Sequence, residues 1–574
     1  MIDPQPALSI AVLIDELRSE DVTIRLSSLD NIELIAKALG PIRARDELLP
    51  FVMDMSDDED EILALIAYKL GTLVELIGGP EFAYYLIRPL EQLATVEEQC
   101  IRDKAIESLQ QVCKVLPMKS IFDHFLPFLM RLSVSDWYIS RVSACILAPS
   151  VLARYFNNEL HRQLCELTRE DTPKVRKSAF SALATCLPAL PRELWEGTCA
   201  TLERCTRDEE DIVRTGSLEA AASLLSNTYT EFTPCAVGLA TRIITAAADD
   251  PSWRVRSALI DHSEKLSIAS ADPALFDIVC NSLLKLAQDP DSEVRAAAVA
   301  KLTKCLSHTK SSSCAEDVLR CLTNVSRDTA DCVRLALATD FCSYTSLLPT
   351  EQYINYCLPV VLQLVRDESV AVRMRMLSSL SMLPAFIPPD TLKHAFLPSL
   401  RDLLNDKSWR VRQGFLELLH GVAPSLGSMG FVTEMLSWIE RLLADTVYCV
   451  REKAGITLAA VCRDDKALME AAVSVIQRVL ESSNYLCRVT GLLAANHLAL
   501  ATHDAELLTL IFMGVKNCSS DSVANVRLSF VRTATAFASH DSLLESRLSP
   551  IIGDMEKDED ADVRNQCKRY LKSK

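Results

Sequence analysis

The chain has 574 residues, 49% of them hydrophobic, with a formal net charge of -17 and a pI near 5.1. That acidity disfavours nucleic acid, which calls for a basic stripe to neutralise phosphates. Only 15 glycines occur, too few for the many tight turns of an all-β fold. In chain order, a marker arginine, usually preceded by valine, recurs at Arg25, Arg102, Arg141, Arg176, Arg214, Arg256, Arg295, Arg334, Arg373, Arg412, Arg451, Arg488, Arg527 and Arg564. From Arg256 to Arg451 the spacing is 39 residues at every step. The vacancy between Arg25 and Arg102 is filled by Ile62-Leu63 after the acidic turn Asp57 to Glu61, which gives fifteen units.

A period near 39 without a strand signal predicts two antiparallel helices per unit, stacked as an all-α solenoid. The segment from Phe396 shows why. Apolar residues recur at helical spacing through Leu404, Asn405 to Ser408 break the pattern, and Trp409 to Leu419 resume it. An aspartate precedes the arginine by six residues in nine units, among them Asp250, Asp289, Asp328, Asp367, Asp406 and Asp445. Such a carboxylate is expected to accept amides near the start of the second helix, with the valine pointing inward. Each arginine is then expected to meet the turn aspartate of the neighbouring unit, forming a structural ladder: Asp250, Arg256, Asp289, Arg295, Asp328, Arg334, Asp367, Arg373, Asp406, Arg412, Asp445 and Arg451. Exposed pairs of this kind contribute only about 0 to 1 kcal/mol each, so the ladder would set register more than stability. The competing reading is a row of anion-binding arginines, which the recurring aspartates disfavour.

Pro89, Pro127, Pro359 and Pro398 fall inside first helices and are expected to bend them. No apolar run approaches the roughly 20 residues of a membrane span, and the N-terminus shows no basic region followed by an apolar one. The twenty cysteines include no Cys-x-x-Cys, and those such as Cys113, Cys145, Cys186 and Cys462 occupy apolar helical positions. Reduced core thiols are expected, which points to a soluble protein of the cytoplasm and also the nucleus. No phosphate loop, dinucleotide fingerprint or nucleophile elbow occurs, no histidine pairs with glutamate, and no cofactor or metal is implied. Asp504 and Asp541, each after a histidine, are read as helix caps. The chain is therefore not expected to be an enzyme.

What remains is a long surface along the turns. Ser252 to Arg256 and Ser408 to Arg412 are identical Ser-Trp-Arg-Val-Arg segments, so Trp253 and Trp409 each stand at the start of a second helix. Either each ring packs over its own turn or it serves as a contact anchor, a role in which tryptophan and arginine are over-represented. Tyr448 and Tyr485 occupy corresponding turns of the next two units. With Val523, Ala524 and Asn525 they would continue one ridge from Trp409.

Gly71-Thr72 with Gly78 to Glu81, the segment Leu90 to Glu98, Arg102 to Ala105, Asp136-Trp137, Asp171 to Pro173, Trp253 to Arg256 and Asn484 to Leu486 together resemble the scaffold (A, 65-kilodalton regulatory) subunit family of type-2A protein phosphatase, a stack of fifteen HEAT repeats. The resemblance covers nearly the whole chain. It implies that Trp409, Arg410, Tyr448, Tyr485, Arg488, Val523 and Asn525 face a phosphatase catalytic subunit, and that Glu61, Trp137, Pro173, Trp253 and Arg254 face an exchangeable regulatory B-type subunit. On that likeness residues 1–388 carry repeats one to ten, with regulatory binding in repeats two to eight, and 389–574 carry repeats eleven to fifteen. A heterotrimer is implied rather than a homo-oligomer, with neither nucleic acid nor membrane as partner. Ser408, Lys177 and Cys487 depart from the family's usual lysine, arginine and histidine, and the Ser-rich stretch Thr309 to Ala315 is short, leaving open the packing of unit nine on unit eight. The alternatives are a nuclear transport receptor of the importin-β type, which would be longer and carry an inserted acidic loop, and a helical-repeat hydroxylase, which needs the missing His-Glu pairs.

Overall fold

The computed structural model describes residues 10–55, 58–225, 233–269, 273–305, 312–345, 348–380, 394, 396–540 and 542–572. Its regular elements are all helical, with no strand among the described residues. Two compact units divide the chain, Met1–Leu286 and Ala287–Lys574. Each is an α-solenoid. Thr309 to Ser311, the expected boundary at 388 and 389, and Asp541 lie outside the described residues.

In the first unit the second helices of the repeats are Val22–Asp30, Asp60–Thr72, Gln99–Val115, Tyr138–Leu152, Pro173–Cys186, Asp211–Leu225 and Trp253–Ala269. In the second unit they are Ser292–Cys305, Asp331–Thr345, Val370–Ser379, Trp409–Glu434, Tyr448–Cys462, Tyr485–Leu500, Ala524–His540 and Ala561–Lys572. Within each unit, consecutive second helices pack on one another, as nearest-neighbour stacking requires. The valine before the marker arginine is fully buried at Val213, Val333, Val372, Val411, Val450, Val526 and Val563. Close approach of helices needs small residues at the crossing. A methyl carbon added at Gly71 would lie 2.6 Å from Ser108 Oγ, which donates to the Ala67 carbonyl at 2.6 Å.

Side-chain caps start several helices. Asn157 accepts the Leu160 amide, Asp465 that of Leu468, and Asp504 those of Glu506 and Leu507, the last as expected from the sequence. The prolines act more specifically than a simple bend. Pro50, Pro127 and Pro359 each follow a five-residue π turn, at Ala44–Leu48, Ile121–Phe125 and Tyr353–Cys357. Leu49, Leu126 and Leu358, one residue before each proline, donate five residues back, to Ala44, Ile121 and Tyr353. A proline ring clashes with the carbonyl four residues before it and brings no amide of its own, so the helix widens by one residue there. Pro89 instead follows the 3-10 turn Pro80–Leu86, and Pro398 is the second residue of Leu397–Leu400.

Candidate partner-binding ridge

In most repeats the turn between the two helices is held by its arginine and aspartate in a three-way arrangement. Arg295 is representative: Nη1 donates to its own turn carbonyls, Asp289 at 2.8 Å and Pro290 at 3.1 Å, while Nε and Nη2 fork onto Asp328 of the next repeat at 2.8 and 2.9 Å. Asp328 Oδ1 also accepts the Ala330 amide at 2.9 Å. The same fork joins Arg176 to Asp208, Arg214 to Asp250, Arg334 to Asp367, Arg412 to Asp445, Arg488 to Asp521 and Arg527 to Asp558. Arg373 Nη2 reaches Asp406 at 3.0 Å. Arg256 donates to the Asp250 and Pro251 carbonyls, and Asp289 accepts the Asp291 amide.

This geometry makes one expectation more specific and corrects two. The aspartate accepts the amide two residues on, as Asp250 does from Ser252 and Asp406 from Ser408, so it closes an Asx turn just ahead of the helix rather than capping the helical amides. The rungs are not exposed: the Arg334 and Asp367 side chains are only 7% and 3% accessible. And Arg451 does not meet a carboxylate in the next turn. Ser482 stands where the aspartate would be, and Nε of Arg451, itself buried, donates instead to the Thr490 hydroxyl at 3.0 Å. Conversely, Glu170 substitutes for aspartate as the partner of Arg141, at 2.7 Å.

These carboxylates give a pH expectation with a definite sign. The hydrogen bond from Arg295 holds Asp328 below its usual value against the opposing effect of burial, and Arg527 does the same for Asp558. A carboxylate more acidic in the folded than the unfolded chain stabilises fully above its unfolded pKa and loses that contribution as pH falls through the folded one. The melting temperature should therefore hold nearly level above about pH 5 and fall progressively below about pH 4. Circular dichroism melts across that range check it; a level profile in acid would mean that the rungs are not linked to folding.

Because the arginine fixes the turn, the residue three before it opens the second helix at the edge of the stack. That position holds Trp253 and, in three consecutive repeats, Trp409, Tyr448 and Tyr485. Trp253, Tyr448 and Tyr485 are 38–48% exposed, while Trp409 is half-buried. The guanidinium of Arg254 lies 5.4 Å from the Trp253 ring centre and that of Arg410 4.7 Å from Trp409; Arg254 also pairs with Asp211 at 3.2 Å. Each indole thus packs against the arginine beside it and still presents surface. Tyr448 hydroxyl donates to Glu452 at 3.1 Å. Val523, half-buried, donates its amide to Asp521, and Asn525 is exposed on the following helix. The second helices carrying these residues pack successively, so Trp409, Tyr448, Tyr485 and Asn525 share one edge of the second unit.

In the first unit Glu61 is exposed on Asp60–Thr72, Pro173 is the half-buried first residue of its helix, and Trp137 immediately precedes Tyr138–Leu152. The Trp137 indole N–H donates to the Thr95 carbonyl of the preceding repeat at 3.1 Å, and its ring lies against Tyr138. The column and the position beside it also hold exposed apolar residues that were not singled out from the sequence as contact candidates. Val370 opens its helix, and Ile212 and Leu486 stand second in theirs. Alignment on the arginine alone would have found them.

Several cysteines and histidines away from the turns are core or part-buried residues. Burial pushes the Cys113 thiol up to about 11 and those of Cys145 and Cys462 to about 12, and lowers His161, His262 and His497. Among the described residues no group of three or more His, Cys, Asp or Glu is placed to hold a metal, and no helix is long and apolar enough to cross a membrane.

The class is set by this architecture: an α-solenoid of HEAT repeats with aromatic side chains displayed along its turns. A HEAT-repeat profile matches residues 279–309, and one described as PIK3R4-like, middle domain, matches 349–487. Among curated proteins the chain is 44% identical over 216 residues, 37% of either chain, to a probable serine/threonine-protein phosphatase PP2A regulatory subunit of Caenorhabditis elegans. It is 48% identical over 177 residues, 30% of either chain, to the beta isoform of the 65 kDa A-type regulatory subunit of serine/threonine-protein phosphatase 2A from Homo sapiens. The A-type regulatory subunit of protein phosphatase PP2A from Schizosaccharomyces pombe is 38% identical over 220 residues, 38% of this chain and 37% of its own. The matched stretches thus span about a third of the length of these relatives. Among solved structures, one of Kap95p with RanGDP covers 98% of this chain and 76% of its own with a TM-score of 0.59 at 15% identity. Kap121p bound to Ste12p covers 94% and 57%, also with a TM-score of 0.59 at 15% identity. At that identity the likeness is one of fold alone.

Proposed function

We propose that this chain is a non-catalytic scaffold that holds a serine/threonine phosphatase catalytic subunit on the ridge of Trp409, Arg410, Tyr448, Tyr485, Arg488, Val523 and Asn525, and an exchangeable regulatory subunit on that of Glu61, Trp137, Pro173, Trp253 and Arg254. The observation that carries this reading is the column of aromatic side chains at second-helix starts, three of them in consecutive repeats. Rings of this size at the rim of a packed stack contribute large contact area at low entropic cost. The names of the curated relatives support the partner class. The arginine and aspartate pairs take the structural role, so Arg488, forked onto Asp521, would act on the ridge by fixing the turn that carries Tyr485, which leaves the aromatic column as the main binding element. The transport-receptor alternative draws only on fold likeness. Cytoplasm and nucleus are the proposed locations.

The test separates the two ridges. Trp253→Ala should weaken binding of a regulatory subunit by about 2 kcal/mol, roughly 30-fold, with affinity for the catalytic subunit nearly unchanged. Calorimetry with purified catalytic and regulatory subunits reads both. Failure of the wild-type chain to bind the catalytic subunit, with capture of a small GTPase instead, would overturn the scaffold in favour of transport. Equal loss of both partners with a lowered melting temperature would make Trp253 a packing residue.

A further inference from the structure

Away from the turns, the first helices of two neighbouring repeats in the first unit bring two thiols together. Cys199 lies on Trp195–Arg204 and Cys235 on Thr233–Ala248, two helices in direct contact. Their Sγ atoms are 3.2 Å apart. Cys199 is buried and Cys235 half-buried. Thr198, beside Cys199, holds the His161 ring at 3.2 Å from its hydroxyl, and Arg242 on the Cys235 helix pairs with Glu203 on the Cys199 helix at 2.8 Å. The two helices are therefore already tied, reversibly, close to the sulfur pair. We infer that Cys199 and Cys235 form an oxidisable dithiol, a modification site at which hydrogen peroxide closes a disulfide between consecutive repeats.

The geometry leaves little to be done. A disulfide bond is about 2.05 Å long, so the sulfurs need approach by roughly 1.2 Å, within reach of small side-chain rotations. Solvent meets Cys235 first. Its sulfur attacks the peroxide O–O bond, takes one hydroxyl to become a sulfenic acid, and the other leaves as hydroxide, which combines with the thiol proton to give water. Cys199 sulfur then attacks Cys235 sulfur. The hydroxide displaced there takes the Cys199 proton and leaves as a second water. Two thiols and one peroxide give one disulfide and two waters; the sulfurs lose the two electrons that the peroxide gains. Burial, reinforced by the hydrogen bond with Cys235 and opposed by Arg242, pushes the Cys199 thiol up to about 12. Once closed, the bond fixes the contact between these two repeats, the second of which continues into Trp253–Ala269.

The full-length protein is treated in its native state with graded hydrogen peroxide, remaining thiols are blocked with N-ethylmaleimide, and the digest is mapped by mass spectrometry. A peptide pair joined through Cys199 and Cys235 is expected, removed by dithiothreitol and absent from Cys235→Ser. In Cys199→Ser, dimedone should trap a sulfenic acid at Cys235. Amide exchange in both helices should slow severalfold on oxidation of the wild type and not of Cys235→Ser. The inference is overturned if the exposed Cys100, Cys332 and Cys449 oxidise fully while Cys199 and Cys235 are recovered as blocked free thiols. It is equally overturned if the joined pair appears only after denaturation. Neither outcome depends on which partners the turns hold.

Discussion

Arg334→Met should lower the stability of the second unit by about 3–5 kcal/mol, because it strands a buried carboxylate. Asp367 keeps only the Ser369 amide at 2.8 Å once the fork at 2.6 and 3.0 Å is gone, and the Asp328 carbonyl loses its donor at 2.6 Å. Methionine fills the volume of the side-chain stem, so the loss reads the missing charge rather than a cavity. Urea unfolding measures it, with Arg43→Ala as the control. The Arg43–Glu47 pair at 2.8 Å is largely exposed, and its loss should stay within about 0.5 kcal/mol. If both substitutions cost the same small amount, the turn ladder is electrostatic decoration and the stack rests on its apolar core alone.

The second large effect concerns the proposed ridge for the catalytic subunit. Replacing Trp409, Tyr448 and Tyr485 together by alanine should weaken that complex by about 4 kcal/mol, roughly a thousand-fold, allowing for the non-additivity of neighbouring anchors. Tyr448 and Tyr485 stand out from the core, and Trp409 packs against Arg410. The melting temperature of the triple variant should accordingly shift little. Calorimetric binding within tenfold of wild type would place the catalytic subunit on another surface. A large drop in melting temperature would instead show that the rings hold the turns.

Much of this was legible in the sequence because the fold repeats. A single period told where every second helix begins, since valine must face inward and the arginine three residues into the helix must find acceptors. The aspartate position told which turn touches which. What escaped were contacts made by departures from the pattern. Arg451 turns to Thr490, a hydroxyl 39 residues away that no turn motif marks. Glu170 replaces an aspartate with a longer carboxylate and still reaches Arg141. Burial of the rungs also escaped, because a charged dipeptide in a turn reads as surface until the neighbouring turn is laid over it. The π turns before Pro50, Pro127 and Pro359 need backbone hydrogen bonds to be seen, since a proline in a helical pattern announces only that something gives way. On the ridge, the aromatic residues were conspicuous by type, whereas Val370, Ile212 and Leu486 are ordinary apolar residues that alignment on the arginine places at helix starts and their exposure brings out.

The missing rungs have a mechanical meaning. Arg102 donates to its own turn carbonyls at Val96 and Glu97, and the place where the next turn would offer a carboxylate is Ser135. Arg451 faces Ser482 in the same way. At these two junctions no guanidinium fork clamps consecutive turns, although Trp137 donates to the Thr95 carbonyl across the first and Arg451 to the Thr490 hydroxyl across the second, whereas Arg334 makes a two-bond fork to Asp367. The second repeat, with Leu63 in the arginine's place, has no fork to offer the third. Clamping by the ladder is therefore uneven along the stack. One junction without a fork leads into the turn that carries Trp137, and another into the turn that carries Tyr485. On the proposed ridges, each compact unit would then have a less tightly clamped turn beside one of its contact residues, and an imperfectly matched partner surface would be accommodated there first while the forked turns keep their spacing.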